Sequence, residues 1–267
     1  MVLPVHDVNP VRRTPVITYA LILANVVVFV LSPLATQFVS GGGPAEVCET
    51  AAYIQHWGAV PDELIGGSQR EATLTGEPLG RGCAAVSPPA YDKPPWLSAL
   101  TAAFVHGGWL HLLGNMLFLF VFGNNVEDRL GRVRFLLFYG VCALAAAYGF
   151  ALTDPGSQTP VVGASGAVAG VLGAYLVLFP RAKVWALLTF LFFLPVRLPA
   201  WLVLGSWFVL QLAFSSGAGV TATGDVAYWA HVIGFALGAA LVWPLRGSGS
   251  RRDLTDPRIG PYRNGRT

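Results

Sequence analysis

The stretch GASGAVAGVLGAYLVLFP, residues 163–180, carries no charged side chain, and its polarity is confined to small residues, one serine and one tyrosine. As a helix rising 1.5 Å per residue, an apolar run of about 17–20 residues crosses a hydrocarbon core ~30 Å thick. The pattern recurs on both sides of this stretch. No Asp, Glu, Lys or Arg lies between Arg13 and Glu46, Lys93 and Glu127, Arg134 and Asp154, Asp154 and Arg181, Arg197 and Asp225, or Asp225 and Arg246. Across the 267 residues, 54 % are hydrophobic and 12 % charged, against roughly 25 % charged in a soluble domain. An ordinary soluble enzyme, a disordered chain and a disulfide-stapled mini-protein are thereby excluded. The fold class expected is an all-α membrane protein, a bundle of six transmembrane helices at about 16–32, 101–122, 134–152, 163–180, 198–214 and 226–243. The first opens after Arg12 and Arg13 without a small-residue cleavage site, which marks a retained helix and not a signal peptide.

Orientation follows from Lys and Arg, which accumulate on the cytoplasmic side. With the N-terminus inside, fourteen of these residues fall in inner segments and only Arg70, Arg81 and Lys93 in outer ones. The chain then divides into a cytoplasmic N-terminal tail (1–15), a membrane domain (16–243) with a long extracytoplasmic loop (33–99), and a basic, disordered cytoplasmic tail (244–267). The location expected is the cell membrane, with both termini in the cytoplasm. Residues 184–196, VWALLTFLFFLPV, are apolar but too short to span, and Lys183 and Arg197 flank them. They read as an interfacial or re-entrant segment on the cytoplasmic side. The outer loop is rich in Gly and Pro and contains Cys48 and Cys83. An oxidising exterior allows a disulfide between them, and two free thiols remain the alternative. No paired CxxC zinc pattern occurs.

Ionisable residues at membrane depth are costly and therefore point to function. The spans hold His106 and His111 in the second helix and His231 in the sixth, with Asn115 and Ser165 as further polar residues. Topology places Ser165, His111 and His231 in the outer half of the membrane. Small residues cluster in the fourth helix, Gly163 and Gly166 among them, and Gly234 and Gly238 form a GxxxG pair one turn below His231. Such faces let membrane helices approach closely, which a Ser–His hydrogen bond requires. A serine hydroxyl needs an adjacent base to act as nucleophile, and the spans hold no Asp or Glu to complete a triad. The chemistry indicated is a Ser165–His231 dyad. The Ser165 backbone N–H at a helix N-terminus, with His111 and Asn115 one turn apart on one helix face, would serve as oxyanion donors.

Three stretches, HGGWLHLLGNMLFLFVFGNNVEDRLG (106–131), GASGAVAGVLGAY (163–175) and AHVIGFALG (230–238), resemble the rhomboid intramembrane serine proteases. The resemblance implies Ser165 as nucleophile and His231 as general base. It implies His111, Asn115 and the Ser165 N–H as the oxyanion site, and Gly163 keeping the backbone open beside it. His106 matches the first His of the family's HxxxxHxxxN pattern and is expected to anchor structure. Glu127 and Arg129 are expected to pair or cap near the cytoplasmic face. Two departures stand out. The aromatic that some members carry one turn after the nucleophile is Ala169 here, so support for His231 must come from elsewhere. The family's Trp–Arg motif in the first outer loop is also not evident. Trp201 and Trp207 in the fifth span fit interface anchoring or lipid-facing packing, with the lining of a lateral gate as the alternative.

The activity expected is endoproteolysis at the outer end of a partner's transmembrane segment, in the lipid bilayer, with the site open to the extracytoplasmic side. No metal, organic cofactor or nucleic acid is implied, and the oligomeric state is left open. The alternative is a non-catalytic rhomboid-like binder of membrane-protein clients, which needs no reactive serine. A proton relay through the three histidines lacks membrane carboxylates and an inverted repeat.

Overall fold

The computed structural model describes residues 2–36, 43–80, 82–189, 192–215 and 227–245. Helices dominate it: α1 Val16–Val30, α2 Pro44–Trp57, α3 Pro61–Gly66, α4 Pro95–Thr101, α5 Trp109–Leu130, α6 Arg132–Ala151, α7 Ser165–Leu178, α8 Ala200–Ser215 and α9 Tyr228–Val242. An apolar helix lies on each of the six expected segments. Three are long and apolar enough to cross a membrane: α5, α6, and α9 with its closing turn to Leu245. The others, α1, α7 and α8, hold 15, 14 and 16 residues and reach about 21–24 Å. The second segment begins later than expected. Its chain leaves a 3₁₀ turn at Ala102–Phe104, runs extended through Val105 and restarts as helix only after Gly107 and Gly108. It then continues past residue 122 through a wider π-type turn at Leu119–Gly123, where Gly123 sits against Thr18 of α1.

The polar end of α5 stays helical because its side chains find partners. Glu127 is buried and accepts the N–H groups of Ile17 (3.0 Å) and Thr18 (2.7 Å) and the Thr18 hydroxyl (2.8 Å). The first N–H groups of a helix lack intrahelical acceptors, and a carboxylate there also meets the positive end of the dipole. Asp128 accepts from the Arg12 and Arg13 backbone N–H groups in the turn ahead of α1. Arg129 donates to the Leu245 carbonyl at the end of α9. The expected basic tail lies beyond Leu245, outside the described residues.

The all-α expectation needs correction. Strand β1 (Val2–Asp7), from the segment read as a tail, pairs antiparallel with β4 (Lys183–Leu188), and β4 pairs with β5 (Leu194–Pro199). Residues 184–188 and 194–196 of the apolar segment thus lie in two paired strands. A segment too short to span satisfies its backbone groups by strand pairing instead. Asp7 anchors β1: it accepts hydrogen bonds from Tyr175 Oη and Asn125 Nδ2, both at 2.7 Å, and burial pushes its carboxyl up to about 6.

The long loop folds as a small cap containing α2, α3 and a hairpin of β2 (Thr73–Leu79) with β3 (Gly82–Val86). Cys48 and Cys83 are joined in a disulfide, with Cα atoms 5.3 Å apart. Beneath it Lys93 is buried and donates to the carbonyls of Gln55 and Gly58 and to the Glu63 carboxylate, each at 2.8 Å.

Helix α7 occupies the centre, and every residue from Gly166 to Tyr175 is buried. Its glycines explain how neighbours come so close. A Cβ on Gly166 would strike Ala146 of α6, and one on Gly170 would lie 2.6 Å from Cys142 Sγ. On the other side, a Cβ on Gly234 or Gly238 of α9 would fall on the carbonyl oxygen of Gly166 or Gly170. Backbone therefore packs on backbone along α7 and α9, the geometry that small-residue faces permit between membrane helices.

Candidate active site

Ser165 opens α7 and His231 lies one turn inside α9. The glycine contact just described sets their separation. The Ser165 hydroxyl and His231 Nε2 are 2.8 Å apart, and both side chains are half-buried. As the first residue of its helix, Ser165 has a backbone N–H without an intrahelical acceptor.

His111 lies in the first turn of α5. Its Nδ1 accepts the Gly107 N–H at 3.3 Å, so in the neutral ring Nε2 carries the proton and is a donor. That donor points at Gly163. The backbone of Gly163 has φ +120°, its N–H donates to the Ala102 carbonyl at 2.8 Å, and a Cβ there would lie 2.6 Å from His111 Nε2 and 3.6 Å from Ser165 Oγ. The missing side chain leaves a hollow between the His111 donor and the serine oxygen. His106 is fully buried, and its Nε2 accepts the Ala164 N–H at 3.5 Å, directly before the serine. Its ring meets that of His111 edge-on with centroids 5.1 Å apart. Asn115 is buried one turn below His111 and directs its amide N–H to the His111 carbonyl, at 2.9 Å. Ser165, His231, His111 and Gly163 thus meet in one place, whereas Asn115 is turned toward its own helix.

This array sits inside a matched stretch: the Rhomboid domain family profile covers residues 93–248, more than half of the chain. The chain belongs to the rhomboid family. It is 34 % identical over 152 residues to "Rhomboid protein 1, mitochondrial" of Saccharomyces cerevisiae, a match over 55 % of this chain and 41 % of the yeast protein. It is 38 % identical over 81 residues to "Putative rhomboid protease YdcA" of Bacillus subtilis, covering 30 % of this chain and 40 % of that one. With "Rhomboid protease GluP" of the same bacterium it shares 40 % over 84 residues, covering 30 % of this chain and 15 % of GluP. The chain therefore spans less than half the length of each of these relatives. Membership and the apolar helices make it a rhomboid membrane protein.

The support for His231 in this rhomboid was not found from sequence. The Nδ1 of His231 is 2.7 Å from Gln211 Oε1 on α8. Trp207, one turn earlier on α8, lies with its ring centroid 6.0 Å from the imidazole, and Tyr228 meets it edge-on at 6.3 Å. Trp207 also contacts Phe118 and Phe235, so it faces the helix packing and not lipid. Trp201 is exposed. The only prior signal for Gln211 was a lone amide in an apolar helix. Such a group is costly to bury without a partner, but its spacing does not say which one.

A cleft of about 550 Å³ opens beside the array. One wall is the 158–162 segment with His111 and Gly107, and the other is the cap, including Ile54, Gln55, Arg70 and Leu74. The segment is braced by paired backbone bonds between Val161 and Ala59, and Arg70 donates to the Gln158 carbonyl at 3.0 Å. Among the described residues, no group of three or more His, Cys, Asp or Glu side chains converges as a metal site.

Proposed function

We propose that this rhomboid is an intramembrane serine endopeptidase that hydrolyses a peptide bond near the outer end of a transmembrane segment in a membrane-protein substrate. The observation that carries the reading is the 2.8 Å contact between Ser165 Oγ and His231 Nε2, held by backbone-to-backbone packing of two helices. In the proposed reaction Ser165 attacks the scissile carbonyl carbon while its proton passes to His231 Nε2. The oxyanion accepts hydrogen bonds from the Ser165 N–H and from His111 Nε2–H, with the Asn115 amide swinging from the His111 carbonyl to join them. The protonated His231 then gives its proton to the leaving amine. Water, deprotonated by the same ring, hydrolyses the acyl-enzyme, and Ser165 regains its proton.

The bilayer placement belongs to the same proposal. Six helices cross, both termini face the cytoplasm as the Lys and Arg distribution requires, and the cap stands outside above the active site. The short α7 suits this arrangement, because the nucleophile then lies below the surface at the top of its helix. The substrate strand would enter along the cleft between the cap and residues 158–162. A helical substrate hides its carbonyls, so segments that unwind easily, rich in glycine, are the preferred substrates.

The test is labelling of purified full-length protein with a fluorophosphonate probe, together with cleavage of a transmembrane reporter in liposomes. Wild type is expected to be labelled and to cleave. Ser165→Ala is expected to lose both, and His231→Ala to lose cleavage, with melting temperatures preserved. Folded wild type that neither reacts nor cleaves, yet captures membrane-protein clients equally well as Ser165→Ala, would overturn proteolysis in favour of client binding.

A further inference from the structure

We propose that Gln211 is a positioning residue that holds the His231 imidazole in the tautomer able to accept the Ser165 proton, a proposal that rests on the proteolytic reading above. The argument begins with atom types. The Gln211 atom facing His231 Nδ1, at 2.7 Å, is the carbonyl oxygen Oε1. An amide oxygen only accepts, so the ring proton sits on Nδ1 and the Nε2 lone pair faces Ser165 Oγ at 2.8 Å. Turning the amide over would present its NH₂ to Nδ1 and move the ring proton to Nε2. The imidazole would then donate to the serine and could not take its proton. One torsion of Gln211 therefore separates a competent dyad from an inert one.

Packing holds the ring for this contact. Trp207 and Gln211 stand four residues apart on α8, so they share a helix face and both lie against the imidazole, with Tyr228 at its edge. The ring support is thus supplied by α8, where position 169 offers only a methyl group. Among the described residues, the groups facing His231 are Ser165, Gln211, Trp207, Tyr228 and, through space, His111, and none of these is a carboxylate. An amide orients the ring without adding a full charge at membrane depth, where a carboxylate would be costly. The competing view is that Gln211 merely joins α8 to α9 by a polar bond, as amides in membrane helices do.

The experiment uses full-length protein in nanodiscs, labelled with ¹⁵N-histidine, and the variants Gln211→Leu and Gln211→Glu. For wild type, the His231 resonances (assigned by their loss in His231→Ala) should show a protonated Nδ1 and a bare Nε2. Gln211→Leu should mix the two tautomers and lower kcat about tenfold, the worth of one neutral hydrogen bond, with KM unchanged. Gln211→Glu can only accept. It should restore the Nδ1–H tautomer and shift the acidic limb of the kcat profile upward by about one pH unit, because a carboxylate stabilises the imidazolium. Where Gln211→Leu fails to fold, the Gln211→Glu tautomer and acidic limb decide by themselves. Wild type protonated at Nε2, or an acidic limb that stays in place in Gln211→Glu, would overturn the proposal. Wild type that neither cleaves nor labels would overturn proteolysis instead, while the tautomer readout still decides what Gln211 does to the ring.

Discussion

Gly234→Ala adds one methyl group at the contact between α7 and α9, one turn below His231. The new Cβ would overlap the carbonyl oxygen of Gly166 and lie 3.0 Å from its carbonyl carbon and 3.5 Å from its Cα. These are backbone atoms of a buried helix, so no side chain can rotate away. Carbon in ordinary contact needs about 3.5 Å, and the helices must part by roughly 1 Å or more to provide it. Gly166 adjoins Ser165, and Gly234 is three residues from His231, so little of that movement is absorbed before it reaches the dyad. The 2.8 Å Ser165–His231 distance would then pass the ~3.2 Å limit of a sound hydrogen bond. The expected outcome is a loss of about 1–3 kcal/mol in stability from overpacking and roughly a hundredfold loss in kcat from misplacing the reacting groups by about 1 Å. Melting of the purified variant and cleavage of a transmembrane reporter in liposomes measure the two effects. The control is Gly140→Ala on α6, where a Cβ meets nothing within 4 Å and the better helix former should be neutral or slightly stabilising. Gly234→Ala with wild-type melting and turnover would refute the account of the glycine contact, as would an equal loss in Gly140→Ala.

Two further predictions concern regions outside the membrane helices. The Asp7 carboxyl is raised by burial from 3.8 to about 6, so between about pH 4 and 6 the folded state binds more protons than the unfolded one, and stability falls as pH rises through that window. The change is about 1–3 kcal/mol; Asp7→Asn, whose amide oxygen can still accept from Tyr175 and Asn125, should flatten that dependence, and a thermal melt as steeply pH-dependent as wild type would contradict it. In the cap, Lys93→Met leaves the buried Glu63 carboxylate and the carbonyls of Gln55 and Gly58 without their shared donor. Removing one partner of a buried pair costs about 3–5 kcal/mol, so limited proteolysis should cut Lys93→Met within residues 43–92 under conditions where wild type stays intact.

What was legible in the sequence follows from short-range rules. Charge-free runs between Arg13 and Arg246 mark apolar helices because each residue's transfer from water is a local property. Glycine and alanine spaced along 163–173 and 230–238 mark faces that pack closely, because the absence of a side chain is also local. Ser165, His231 and His111 stood out as rare polar positions in those runs, and the open position of Gly163 was implied only by the family resemblance. Their spacing could not set the distances between them. The 2.8 Å Ser165–His231 contact and the aim of His111 Nε2 at Gly163 arise only when α5, α7 and α9 are docked. Gln211 was overlooked for the same reason: its partner lies on another helix. The antiparallel match of β1 to β4 was hidden more deeply still. Residues 2–7 read as a tail, and they become a strand only because β4, remote in the chain, satisfies their backbone hydrogen bonds, while β4 also pairs with its neighbour β5. Local composition determined which segments are apolar helices and which side chains are chemically unusual there; the partner of each such side chain was decided by the packing of segments far apart in sequence, because a hydrogen bond depends on position in space and not on spacing along the chain.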